Sequence, residues 1–179
     1  DLVDWLGETI RQTDSSLLDE WEALTHPDGT LNTVHRDAVA PPRPLTANDR
    51  AFRAMIRRAM WRRVELAARD DINALYAVER VSAALTEPPS SVVMDTAAWD
   101  AALGDYWAEH DEVVLDADAR GPAYLSIEPH PDGGRRWAVR QTISDPAGDR
   151  DWVIEADVDL DASDAVGELV LTTTALRRL

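Results

Sequence analysis

The chain has 179 residues, a formal net charge of -16 and a hydrophobic fraction of 45%, which suits one packed domain with an appendage. It contains no cysteine, which excludes disulfides, thiolate zinc sites and cysteine nucleophiles, and no apolar run approaches the ~20 residues of a membrane helix. All 18 basic residues are arginine; bidentate chemistry is not needed at every exposed position, so a GC-rich base composition is the simpler cause.

Residues 1–25 place Leu2, Leu6, Ile10, Leu17, Leu18, Trp21 and Leu24 near helical spacing, which predicts an N-terminal helical segment. "HPDG" at 26–29 ends it. Residues 26–49 read as a linker with "APPRPLTAND" as its stiff end, and residues 50–179 as an α+β domain. A start at Asp1 rather than Met is expected of a piece of a longer protein. With no signal peptide, a cytoplasmic location is expected.

A helix is predicted over about 49–69, capped by Thr46 or Asn48. On a helical wheel Phe52, Met55, Ile56, Ala59, Met60, Leu66 and Ala67 form one face. Arg50, Arg53, Arg57, Arg58, Arg62 and Arg69 lie mostly opposite, with Trp61 among them. Arginine beside an exposed aromatic is how single strands are held, guanidinium to phosphate and ring to base. Against that, a net charge of -16 repels a phosphate backbone at long range. The face is therefore expected chiefly to dock carboxylates of this chain or of a partner, Glu8, Asp14, Asp19, Glu20 and Glu22 being candidates within the chain. Arg63 falls inside the apolar face, where a guanidinium needs an acidic partner or must snorkel; a ligand-binding arginine at the helix–sheet junction is the sharper alternative.

A second helix is predicted over 71–85, with Ile72, Leu75, Tyr76, Val78, Glu79 and Leu85 in its pattern, broken by "TEPPSS". A third, capped by Asp95, runs to about His110. The period then changes to 2, and strands are predicted over 122–128, 135–143, 150–160 and 167–175. Short turn-rich connections imply an antiparallel four-stranded meander with one face packed on the helices. An NTF2-like cone is one form of this, although its usual early hairpin has no counterpart here. Trp99, Tyr106, Trp137 and Arg63 are the candidates for a pocket between helix and sheet; such tryptophans are more often core.

"DVDLDASDAVGE" sets Asp157, Asp159, Asp161, Ser163 and Glu168 at calcium-loop spacing, but Ala162 stands where the sharp turn needs glycine. His26, His35, His110 and His130 form no paired metal motif, and no G-x-S-x-G elbow exists. No metal, cofactor or catalytic residue is expected.

"WLGETIRQTDSSLLDEWEAL", "NDRAFRAMIRRAMWRRVELAA", "ADARGP" and "WAVRQTISDPAGDRDWVIEADVDLDASDAVG" together resemble the C-terminal domain of unknown function carried by actinobacterial DEAD/DEAH-box helicases. The densest part is RQ-x3-DPAGD-x-DW, Arg140 to Trp152. The resemblance implies a parent chain that hydrolyses ATP to act on RNA or DNA. This chain holds no phosphate loop, and without lysine it has none of the usual form. The expectation is a non-catalytic accessory domain that docks on the helicase core or assists nucleic-acid binding, without a membrane partner. The alternative is a small-ligand or lyase-like pocket domain of NTF2-like form.

Overall fold

The computed structural model describes residues 43–179; the helical segment predicted over 1–25, most of the linker, and His26 and His35 lie outside them. Leu45–Ala47, the end of the segment read as linker, forms a 3-10 turn. Then come α1 (Asp49–Ala67), α2 (Ile72–Ala83) and α3 (Thr96–Glu109). A second 3-10 turn, Pro122–Tyr124, leads into β1 (Leu125–Pro129), β2 (Arg136–Thr142) and β3 (Trp152–Asp159). A two-turn helix, α4 (Leu160–Val166), separates β3 from β4 (Leu171–Arg178).

The helix boundaries are set by local chemistry. The Asn48 side chain accepts from Ala51 N at 3.0 Å, Asp71 from Ala74 N at 3.0 Å and Asp95 from Ala98 N at 2.8 Å, each satisfying a first-turn donor that has no partner within the helix. Between α1 and α2, Asp70 adopts φ 54°, a left-handed conformation that Asp tolerates better than most residues.

The sheet is antiparallel in the order β1-β2-β3-β4, so the chain belongs to the α+β class. Trp152, Ile154, Ala156 and Val158 of β3 are buried in the core, while Glu155, Asp157 and Asp159 occupy the other face. The inward row meets Phe52, Ile56, Met60 and Val64 of α1, Leu75 of α2, and Trp99, Leu103 and Tyr106 of α3 in one cluster. Fully burying each large side chain contributes about 1.5–3 kcal/mol; truncating the fully enclosed Trp99 to alanine is the single change that breaks the cluster most directly, at about 3–5 kcal/mol.

Two features depart from the sequence expectation. The segment predicted to be a turn, "DASDAVG", is helix α4. Asp159 caps it through Ala162 N at 2.8 Å, and Gly167 closes it at φ 71°. The helix uses residues through Val166, so β4 begins four residues later than predicted. A bulge between Glu155 and Ala156 then shifts the inward parity of β4 from Leu171 and Thr173 to Leu176, because an extra residue reverses which face the following side chains take.

The outer edge of β4 is closed by α2. Ser82 Oγ accepts from Leu171 N at 3.1 Å and donates to Leu171 O at 2.5 Å. Glu79 accepts from Thr173 N at 3.2 Å. Side chains thus satisfy an edge that would otherwise invite pairing with another chain.

Candidate functional site

The wheel for α1 is right about its long sides and wrong about one residue. Arg50, Arg57, Arg58, Arg62 and Arg69 are exposed, and Arg53 is half-buried. Trp61 is not an exposed platform: it is 6% exposed and part of the core cluster. Its indole N–H donates to Glu65 at 2.8 Å, and the Arg120 guanidinium lies 5.1 Å from its ring centroid. The wheel misplaced it because it cannot anticipate the turn at 116–121, which comes from elsewhere in the chain and covers the ring.

That turn is shaped by its own residues. Ala119 N donates to Asp116 Oδ1 at 2.7 Å and Gly121 N to Asp118 O at 2.8 Å. A Cβ at Gly121 would meet Asp118 O at 2.8 Å, so glycine permits the tight closure that holds Arg120 over Trp61.

Ala54, Arg57, Arg58 and Trp61 fall at i, i+3, i+4 and i+7, one stripe of α1. With Arg120 from the turn and Gln141 from β2 they line a cavity of about 190 Å³. Gln141 is 3% exposed; its amide nitrogen donates to Thr142 O at 3.1 Å, and its oxygen has no partner among the described residues. Among those residues the ion pairs of α1 are Arg53–Asp49 at 2.9 Å, Arg62–Glu65 at 3.9 Å and Arg63–Glu79 at 2.9 Å. Arg50, Arg57, Arg58 and Arg69 therefore have no described carboxylate partner. The arginines in and beside the sheet differ: Arg135, Arg136, Arg140, Arg177 and Arg178 all form ion pairs.

The four pocket candidates sit in packed surroundings among the described residues. Arg63 and Glu79 are 2% and 3% exposed, and Thr173 Oγ1 lies 2.7 Å from Arg63 Nε and 2.8 Å from Glu79 Oε1. Trp99 and Tyr106 are completely enclosed. The Tyr106 hydroxyl donates to Glu112 O at 2.8 Å; burial, and then the negative charges of Asp145, Glu112 and Asp151, push its pKa well up. Trp137 packs against Phe52 at 5.6 Å and under the Arg53 guanidinium at 4.6 Å. None of the four lines the surface cavities of about 300, 190, 270 and 380 Å³.

The carboxylates at calcium-loop spacing are engaged separately. Asp157 pairs with Arg136, Asp159 caps α4, and Asp161 pairs with Arg135. A fourth carboxylate of the same segment, Asp164, accepts from Thr46 N at 2.8 Å and from Arg135 at 2.9 Å. Among the described residues no cluster of His, Asp and Glu is arranged to hold a metal. His130 sits by Asp157 and Arg136 on the open sheet face, and His110 packs on the Tyr106 ring at 5.0 Å.

Sequence reasoning missed Glu79, Arg120 and Gln141. Glu79 was legible as the acid within the apolar pattern of α2. Gln141 was legible as a polar residue at an inward position, in step with Trp137 and Val139. Arg120 carried no signal.

The fold and its surface define an α+β domain in which three helices cover one face of an antiparallel meander, with an arginine-lined pocket on the first helix. No helix among the described residues is long and apolar enough to cross a membrane. The chain belongs to the family described as a domain of unknown function, DUF3516, whose profile matches residues 1–176. No curated protein and no solved structure matches it.

Proposed function

We propose that this chain is the non-catalytic accessory domain of an ATP-dependent DEAD/DEAH-box helicase of actinobacterial type, and that the arginine face of α1 is its working surface. The observation that carries the reading is the contrast in pairing. The arginines in and beside the sheet meet carboxylates of the same domain, whereas Arg50, Arg57, Arg58 and Arg69 meet none among the described residues. Guanidiniums with no described carboxylate partner, on an otherwise acidic chain, suit an anionic partner held at short range. On this reading the outer arginines Arg50 and Arg69, exposed and without a described carboxylate, dock carboxylates of the helicase core. A covered Trp61 leaves no ring for a base to stack on, so any strand contact here is through phosphate rather than base. The filled junction around Trp99 and Tyr106 gives no support to a small-ligand pocket there.

The test uses the parent helicase with and without Arg57→Glu and Arg58→Glu. Strand separation and strand-stimulated ATP hydrolysis are expected to fall, while ATP hydrolysis without nucleic acid is unchanged. Unaltered strand separation in the variant overturns the proposal.

A further inference from the structure

We infer that the cavity between α1, the 116–121 turn and the end of β2 is a phosphate-binding site for a nucleotide, free or within a strand. The choice of a nucleotide as the carrier rests on the helicase reading; the phosphate chemistry rests on the pocket alone. Three arginines, Arg57, Arg58 and Arg120, line a space of about 190 Å³, and none has a described carboxylate partner. They come from two separate parts of the chain, and buried Gln141 supplies a third wall. Three arginines lining one small cavity are poorly matched by one carboxylate and well matched by a phosphate, whose oxygens accept the forked donors of arginine.

Arg120 is preordered for this task. Its guanidinium lies over the Trp61 ring, 5.1 Å from the centroid, a cation–π contact that restricts the side chain while guanidinium N–H donors remain to bind an anion. The small side chain of Ala54, one turn before Arg57 and Arg58 on the same stripe, leaves the space open. Gln141 adds a different requirement. Its nitrogen already donates to Thr142 O, and its oxygen has no partner among the described residues. An acceptor lining the cavity suits a donor on the ligand, and a ribose hydroxyl beside the phosphate provides one. The pocket therefore suits a ribonucleotide better than a deoxyribonucleotide. The charge of the whole chain opposes anions at long range, so binding depends on these short contacts and weakens as salt rises.

The experiment follows the indole and arginine side-chain resonances of the 179-residue chain by NMR, with the Trp61 signal identified by Trp61→Phe. The probes are inorganic phosphate, adenosine 5′-monophosphate, its 2′-deoxy counterpart, adenosine, acetate, and a twelve-nucleotide uridine strand. Phosphate and both monophosphates are expected to shift the Trp61 and Arg120 signals, the ribonucleotide most tightly. Adenosine and acetate are expected to do nothing. Arg57→Gln with Arg58→Gln, and separately Ala54→Leu, which fills the space with a good helix former, are each expected to weaken phosphate binding at least about tenfold with unchanged thermal melting. Acetate binding as tightly as phosphate, or phosphate binding that survives Ala54→Leu, overturns the site. Strand binding that survives Ala54→Leu removes the pocket and leaves the helicase reading intact. Mononucleotide binding without strand binding supports the pocket and counts against the helicase reading.

Discussion

Among the described residues Arg63 and Glu79 form the one ion pair of α1 that is buried, and its removal gives the sharpest energetic test. Both side chains are about 3% exposed and 2.9 Å apart. Glu79 also accepts from Thr173 N and Oγ1, and Arg63 Nη1 donates to Ala59 O at 3.0 Å. Arg63→Met leaves a buried carboxylate uncompensated, and Glu79→Gln leaves a buried guanidinium uncompensated. Each is expected to cost about 3–5 kcal/mol, because breaking one side of a buried pair strands the other charge. For a domain of this size that corresponds to a melting temperature lower by about 10–15 °C. The double variant removes both charges, and its glutamine still offers an oxygen to Thr173 N. It is expected to lie within about 1–2 kcal/mol of the parent chain, since a neutral replacement of a buried pair is close to neutral in stability. The assay is urea unfolding followed by tryptophan fluorescence, arranged as a double-mutant cycle. Additive losses, or a single variant costing less than about 1 kcal/mol, refute the reasoning.

Three further outcomes are expected. The Asp145 carboxyl is pushed up by burial, but the Arg150, Asp149 and Gly148 backbone N–H groups and then His110 outweigh this, leaving its pKa below the ordinary value. Its contribution is thus fully present above the unfolded carboxyl pKa and disappears as pH falls through the lowered folded value, so urea unfolding from pH 6 down to pH 2 should lose less stability in Asp145→Asn than in the parent; equal losses would count against the turn being held by this charge. The purified 179-residue chain is expected to hydrolyse no ATP in a phosphate-release assay, because the phosphate loop is missing from its sequence; turnover that co-purifies with the chain through successive columns would contradict this. Calcium is expected to change neither heat signal nor melting temperature, since Asp157, Asp159 and Asp161 already serve separate partners; calorimetric binding tighter than about millimolar would contradict that.

Much of the fold was readable from the chain. Caps at Asn48, Asp71 and Asp95 fix where helices start, and the alternation of Trp152, Ile154, Ala156 and Val158 marks the inward face of β3. These signals act over one or two turns of chain, so local spacing carries them. Helix α4 escaped because seven residues are too few to show a period, although its cap at Asp159 and stop at Gly167 are both in the sequence.

The candidate site was only half legible. Sequence placed Arg57 and Arg58 on one exposed side of a helix and put Arg63 among apolar residues, because 3.6-residue geometry alone dictates those positions. It could not pair Arg63 with Glu79, 16 residues away on another helix, nor bring Arg120 over Trp61. Those contacts join residues distant in sequence, and they arise when burial of the apolar faces fixes how the helices, the sheet and the 116–121 turn lie together. Helical spacing thus set which way the arginines of α1 point, and tertiary packing decided which of them meet a carboxylate among the described residues and which do not.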